Sequence, residues 1–142
     1  MGRQHPGETV GSYVLEGFLK KIIKEDQLLK QYEIIAIPMV NPDGVIYGNF
    51  RTNLAGFDLN RQWLDPDRYM HPEIYSISRF VSSLQNISFV LDFHGHSKKY
   101  NSFIFACIGD PAYQFRIYPY IFSKFSPFFS IKDCTYNLTA DK

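Results

Sequence analysis

Two apolar runs, Tyr32 to Val40 (YEIIAIPMV) and Ile87 to Phe93 (ISFVLDF), constrain the fold of this chain more than any other feature. A run that is apolar at successive positions has no polar face to give to water. It therefore reads as a strand covered on both sides, the situation in parallel or mixed sheets flanked by helices. Before and between the runs the period changes. From Glu8 to about Lys24, Val10, Val14, Phe18 and Ile22 recur every four residues, and Leu15, Leu19 and Ile23 widen the stripe. That spacing predicts an amphipathic helix. Gly17 within it weakens the helix, so a close packing contact is expected there. His71-Pro72 opens a second helix with proline in its first turn, and Ile74, Ile77, Val81 and Leu84 form its apolar face. Ser102 to Ile108 reads as a third strand, ended by Gly109-Asp110-Pro111. A short helix is expected from Pro119 through Phe125, and a further strand from Phe128 to Tyr136. Asn41-Pro42-Asp43-Gly44 has the chemistry of a turn. Residues 48–70 show no period and read as a long surface loop, a feature usually tied to function in a compact domain. Strands alternating with helices imply an α/β layer architecture.

Composition narrows the function classes. A chain of 142 residues suggests one domain, and 45% hydrophobic with 17% aromatic residues is a packed composition. A net charge of +1 gives no long-range field toward nucleic acid or an anionic membrane. No segment approaches the roughly 18 apolar residues of a membrane span. The first residues, Met1-Gly2-Arg3-Gln4-His5, form no apolar signal region. Cys107 and Cys134 could pair, but two cysteines do not make a secreted disulfide framework. Asn86-Ile87-Ser88 and Asn137-Leu138-Thr139 match the glycosylation pattern and are read as chance. The expectation is an intracellular, soluble protein.

Three residues could close around one metal ion. His5 and Glu8 flank Pro6-Gly7, and His94 stands in Asp92-Phe93-His94-Gly95-His96 at the end of an apolar run. Residues three apart on a helical turn or tight loop can point the same way. Two imidazoles and a carboxylate suit zinc and leave a fourth position open, which distinguishes a catalytic site from a structural one. Ligands in open α/β sheets gather at strand C-terminal ends, where His94 falls. His96, two residues on, competes with His94 for the role. Asp92 has the same parity as His94 and suits a hydrogen bond to a ligand imidazole, or is an ordinary strand-end carboxylate. Arg51 and Arg61 are, by composition alone, solvated loop charges.

Six segments in order resemble the zinc metallocarboxypeptidases, and more closely their cytosolic carboxypeptidase branch. They are His5-Pro6-Gly7-Glu8, Pro38-Met39-Val40-Asn41-Pro42-Asp43-Gly44-Val45, Gly48-Asn49-Phe50-Arg51, Asp58-Leu59-Asn60-Arg61-Gln62-Trp63, His71-Pro72-Glu73-Ile74-Tyr75 and Asp92-Phe93-His94-Gly95-His96-Ser97. The resemblance implies a three-layer fold, a mixed β-sheet flanked by helices, here incomplete at both ends. Residues 1–142 would be part of one catalytic domain. It implies one zinc ion held by His5, Glu8 and His94, the last in preference to His96. It matches Arg51 to the arginine that stabilises the oxyanion, and Asn60 with Arg61 to the pair that grips the substrate's terminal carboxylate. A guanidinium forms two parallel bonds to a carboxylate, which lysine cannot copy.

The branch removes glutamates from protein C-termini such as those of polyglutamylated tubulin, so the resemblance implies a cytoplasmic deglutamylase whose partner is an acidic C-terminal tail. No nucleic acid or membrane partner is expected. Lys98 and Lys99 would suit the wall of an acidic-substrate pocket, or form a solvated pair. The family pattern often has arginine where Lys98 stands. The family's general base is a glutamate well beyond the third ligand, whereas the last glutamate here is Glu73; Asp110, Asp133 and Asp141 are the only carboxylates after His94. Low turnover from these residues alone is therefore expected. Two other readings remain: a zinc-containing module that binds acidic tails without cutting, and a zinc amidohydrolase of small acylated amino acids.

Overall fold

A computed structural model of the chain describes residues 1–107 and 114–137. It comprises two compact units, Met1–Gly95 and His96–Lys142.

In the first unit, α1 spans Thr9–Ile22, followed by the short α2 (Asp26–Leu29) and α3 (Pro42–Ile46), a 3-10 turn at Leu59–Arg61, and α4 (Pro72–Ser83). Helix α1 forms where its period placed it, and Lys20 and Lys21 in its last turn suit the helix dipole. Its buried face is rotated from the expected one. Gly11, Leu15 and Ile22 are buried, while Val10 and Val14 are half exposed. Around Gly17 there is open space, so no packing contact accounts for that glycine. The close approach falls at Gly11 instead, where a Cβ would lie 2.4 Å from the carbonyl oxygen of Phe93. Glycine lets the helix backbone come against residues 93–94.

The Asn41 turn becomes the start of α3. Asn41 is fully buried, and its side-chain oxygen accepts from the Gly44 N–H at 2.9 Å, capping the helix. Proline in the first turn completes the start signal. Loop 48–70 is pinned by its polar side chains. Asn53 donates to the Met70 carbonyl at 2.8 Å and accepts from the Phe57 N–H at 3.0 Å. Asp67 accepts the N–H groups of Tyr69 and Met70, and these bonds hold its carboxyl below the usual range.

The two apolar runs are extended but are not regular strands. Gly2 lies between them, bridged in parallel to Phe93. It donates to the Ile37 carbonyl and accepts from Val40, at 3.1 and 2.9 Å. A parallel ladder would return after two residues; here it returns after three, with Pro38 between and no N–H to give. Neither run is covered on both faces: Ile35 is 44% and Phe89 70% exposed. The core gathers instead where Val40, Leu59 and Ile74 meet, with Ile37, Trp63 and Ile77 packed against them. Ile74 and Ile77 belong to the expected face of α4. Leu59 and Ile74 are fully buried, so Leu59→Ala should cost about 2–5 kcal/mol in a denaturation experiment.

In the second unit, β1 (Phe105–Cys107) pairs in parallel with β2 (Thr135–Asn137). Ser102 and Phe129 form a further parallel bridge. Among the described residues of the expected third strand, Phe105–Cys107 form β1, with Ile108 outside those described, and the expected strand from 128 is broken by a 3-10 turn at Ile131–Asp133. Helix α5 runs Gln114–Phe125 and carries Pro119 inside it, not at its start. Pro119 is fully buried, so apolar burial offsets the helix hydrogen bond its ring removes. Cys134 is a free thiol. The Gly109-Asp110-Pro111 break, Asp141, and Leu138 and Thr139 of the second glycosylation pattern lie outside the described residues. Among the described residues, no helix is long and apolar enough to cross a membrane.

Candidate metal centre

His5, Glu8 and His94 meet in the first unit, each offering a ligand atom within 4.8 Å of the others. Glu8 is the residue before α1, where a side chain ordinarily caps the helix, but it makes no cap bond. Its carboxylate turns instead to His5 Nδ1 at 2.8 Å, His94 Nδ1 at 2.9 Å and the Gly95 N–H at 2.8 Å. Helix-end stability is given up for the cluster. The two Nδ1 atoms stand 3.2 Å apart. His5 is 3% exposed, and the rings tilt at 58° with centroids 4.8 Å apart.

The far nitrogen of each ring faces a carboxylate. His5 Nε2 meets Asp58 Oδ1 at 3.0 Å, and His94 Nε2 meets Asp92 Oδ2 at 2.8 Å. A carboxylate only accepts, and both nitrogens of each ring face one; with a cation between the Nδ1 atoms and Glu8, the neutral imidazoles would carry their protons on Nε2, toward Asp58 and Asp92. In that tautomer both Nδ1 lone pairs and the two Glu8 oxygens face one another, an arrangement that a cation relieves. Burial disfavours a charged His94, but the Asp92 and Glu8 carboxylates outweigh it and push its pKa up to about 9. Burial likewise opposes the Glu8 charge, yet its bonds to His5, His94 and Gly95 hold it well below the carboxylate range.

The donor set passes the test for zinc. Zinc–ligand distances of about 2.0–2.2 Å in a tetrahedron place ligand atoms roughly 3.3–3.6 Å apart, so a small outward shift of these side chains admits the ion. Charge agrees. Glu8, Asp58 and Asp92 outnumber the cations beside them, the Arg51 guanidinium and the Met1 ammonium that faces Asp92, so the cluster has the sign that a cation would relieve.

Arg51 reaches the edge of the cluster. Its Nε donates to Asp58 Oδ2 at 2.8 Å and its Nη1 lies 3.9 Å from Glu8 Oε1. Burial raises the Asp58 pKa, but His5 and Arg51 together bring it below its usual value. Asp58 also accepts the Asn60 N–H at 3.0 Å and so starts the 3-10 turn. Asn60 is half-buried on that turn. Arg61 is exposed, and its Nη1 donates to the Asn60 carbonyl at 3.1 Å. Among the described residues Arg61 makes no ion pair. His96 is not part of the His5–Glu8–His94 group; it meets the Phe103 ring edge to face within the second unit and accepts from the Lys98 N–H. Lys99 is engaged by Asp133 at 3.2 Å and lies over the Phe103 ring.

Asp92 bonds the His94 imidazole, as its parity suggested. Three partners were not foreseen. Asp58 stood inside a motif without a role. Gln4, 1% exposed, donates to Asp92 Oδ2 at 2.9 Å and accepts from the Trp63 indole at 2.7 Å. Their only sequence signal is position beside a ligand or within the Asp58–Trp63 segment.

Two histidines and a glutamate meet around one point, with each imidazole backed by a further carboxylate, an arrangement suited to holding a metal ion. The chain belongs to the zinc carboxypeptidase family, whose sequence profile matches residues 1–107. The family uses zinc. Human cytosolic carboxypeptidase 6 is 35% identical over 99% of this chain and 30% of its own length. Human cytosolic carboxypeptidase 4 is 37% identical over 94% of this chain and 14% of its own. A metallo-carboxypeptidase from Burkholderia cenocepacia superposes with a TM-score of 0.82 at 26% identity, covering 95% of this chain and 39% of that one. One from Pseudomonas aeruginosa gives 0.71 at 30% identity, covering 87% and 33%. The chain thus spans less than a third of either human relative.

Proposed function

We propose that residues 1–142 are part of a zinc carboxypeptidase catalytic domain that hydrolyses C-terminal residues, glutamates foremost, from cytoplasmic proteins with acidic tails, tubulin among them. The observation that carries this is the convergence of His5 Nδ1 and His94 Nδ1 on the Glu8 carboxylate. These three residues would hold one zinc ion. When bound, zinc supplies Lewis acidity toward a peptide carbonyl and makes water a competent nucleophile near neutral pH.

The remaining chemistry is the chain's own. Asp58 fixes the Nε of Arg51, leaving guanidinium N–H groups for the carbonyl oxygen as it gains charge. Asn60 and Arg61 hold the substrate's terminal carboxylate, and the exposed fork of Arg61 suits two parallel bonds to it. Asp58 and Asp92 keep the ligand imidazoles in one tautomer. The names of the human relatives, cytosolic carboxypeptidases, support the tail-trimming reading.

The experiment is peptide binding and turnover with zinc-loaded protein. A Glu-terminated peptide should bind, and Arg61→Ala should weaken binding of the free acid far more than of its C-terminal amide. No glutamate follows Glu73, and Asp133 is already paired with Lys99. These residues alone should therefore release glutamate about 10²–10⁴-fold more slowly than an enzyme with its general base. Preference for a small acylated amino acid over every peptide would point to an amidohydrolase instead.

A further inference from the structure

The segment that carries Asn60 and Arg61 also reaches the outer nitrogens of both ligand histidines. On one side the contact is direct, from Asp58 to His5 Nε2 at 3.0 Å. On the other it passes through two more residues. The Trp63 indole donates to Gln4 Oε1 at 2.7 Å, Gln4 Nε2 donates to Asp92 Oδ2 at 2.9 Å, and the same oxygen meets His94 Nε2 at 2.8 Å. An indole N–H can only donate. It therefore fixes the amide, oxygen toward Trp63 and nitrogen toward Asp92. Gln4 is buried, so losing either bond would leave a polar group without water to replace it.

We propose that Trp63 and Gln4 are positioning residues that set the ring orientation and tautomer of His94 through Asp92, and that they link metal affinity to the turn that holds the substrate carboxylate. This rests on the zinc reading above. Gln4 Nε2, 3.4 Å from His94 Nε2, donates to Asp92 Oδ2 and steers it onto that ring nitrogen, which with zinc bound would leave Nδ1 as the ligand atom. Trp63 also packs against the Val40, Leu59 and Ile74 core. That packing is a separate, structural role, and Trp63→Phe separates the two because it keeps an aromatic ring and removes the N–H.

Zinc titration of the folded Trp63→Phe protein should show affinity lower by about 10-fold, within the range for losing an outer partner of a metal histidine. The visible spectrum of its cobalt-substituted form should shift as well. Gln4→Met should do the same. A wild-type measurement needs no variant. Trp63 is the only tryptophan among the 142 residues, and its indole N–H nuclear magnetic resonance signal should move as zinc is added. If the wild-type protein takes up no zinc, the zinc reading fails and the relay with it. If the wild-type protein binds zinc but the indole signal stays still, the relay alone is overturned. Unchanged affinity and cobalt spectrum in folded Trp63→Phe overturn it equally. Should that variant fail to fold, the indole titration decides.

Discussion

Replacing His94 by alanine should remove zinc binding from the protein, with affinity falling by more than about 100-fold, beyond what loss of an outer partner of a metal ligand costs. His94 Nδ1 lies 2.9 Å from one Glu8 oxygen and 3.2 Å from His5 Nδ1, so its loss leaves one imidazole and one carboxylate. Two protein ligands do not make a catalytic zinc site. The His96→Ala protein is the control and should keep its zinc, since His96 is outside the ligand group. Titration calorimetry reads both. Full occupancy in His94→Ala with loss in His96→Ala would transfer the role to His96.

The second large effect concerns α1. Gly11→Ala should destabilise the protein by about 1–3 kcal/mol, the usual cost of forcing extra atoms into a packed site. The added Cβ would fall 2.4 Å from the Phe93 oxygen and 3.0 Å from its carbonyl carbon. These are backbone atoms, so no side-chain rotation relieves the overlap. Either α1 moves away, taking Glu8 with it, or residues 93–94 move, taking His94. Zinc affinity should therefore fall together with stability. Gly17→Ala gives the contrast: nothing lies within 4 Å of the added carbon, and the helix should gain about 0.5–1 kcal/mol. Urea denaturation of both variants is the check. A neutral Gly11→Ala with a damaging Gly17→Ala would mean that the helix is rotated as its apolar spacing alone suggests.

That spacing shows where the sequence was readable and where it was not. The existence of α1 follows from local period, but the orientation of its face does not. Val10 and Val14 have the right spacing and are half exposed, because the neighbour that selects the face is the backbone of residues 93–94, remote in the chain. The convergence of His5, Glu8 and His94 was legible because its members sit in short segments of distinctive chemistry. Asp92 was legible by parity. Asp58, Gln4 and Trp63 were not: each acts across 53 or more residues, and no local pattern encodes which donor meets which acceptor after folding. The apolar runs were readable as extended chain. Their pairing was not, since Pro38 withholds an N–H and the ladder to Gly2 carries an extra residue. Pro119 misled for the opposite reason. Proline commonly starts helices, but here its burial inside α5 decides.

The most direct measurement is zinc-edge X-ray absorption on the zinc-loaded protein, with metal content determined on the same sample. One zinc per chain, coordinated by two imidazoles and a carboxylate oxygen at about 2.0–2.2 Å, is the expected result. Protein that holds no zinc, or zinc held by sulfur or by a single imidazole, would contradict the His5–Glu8–His94 centre.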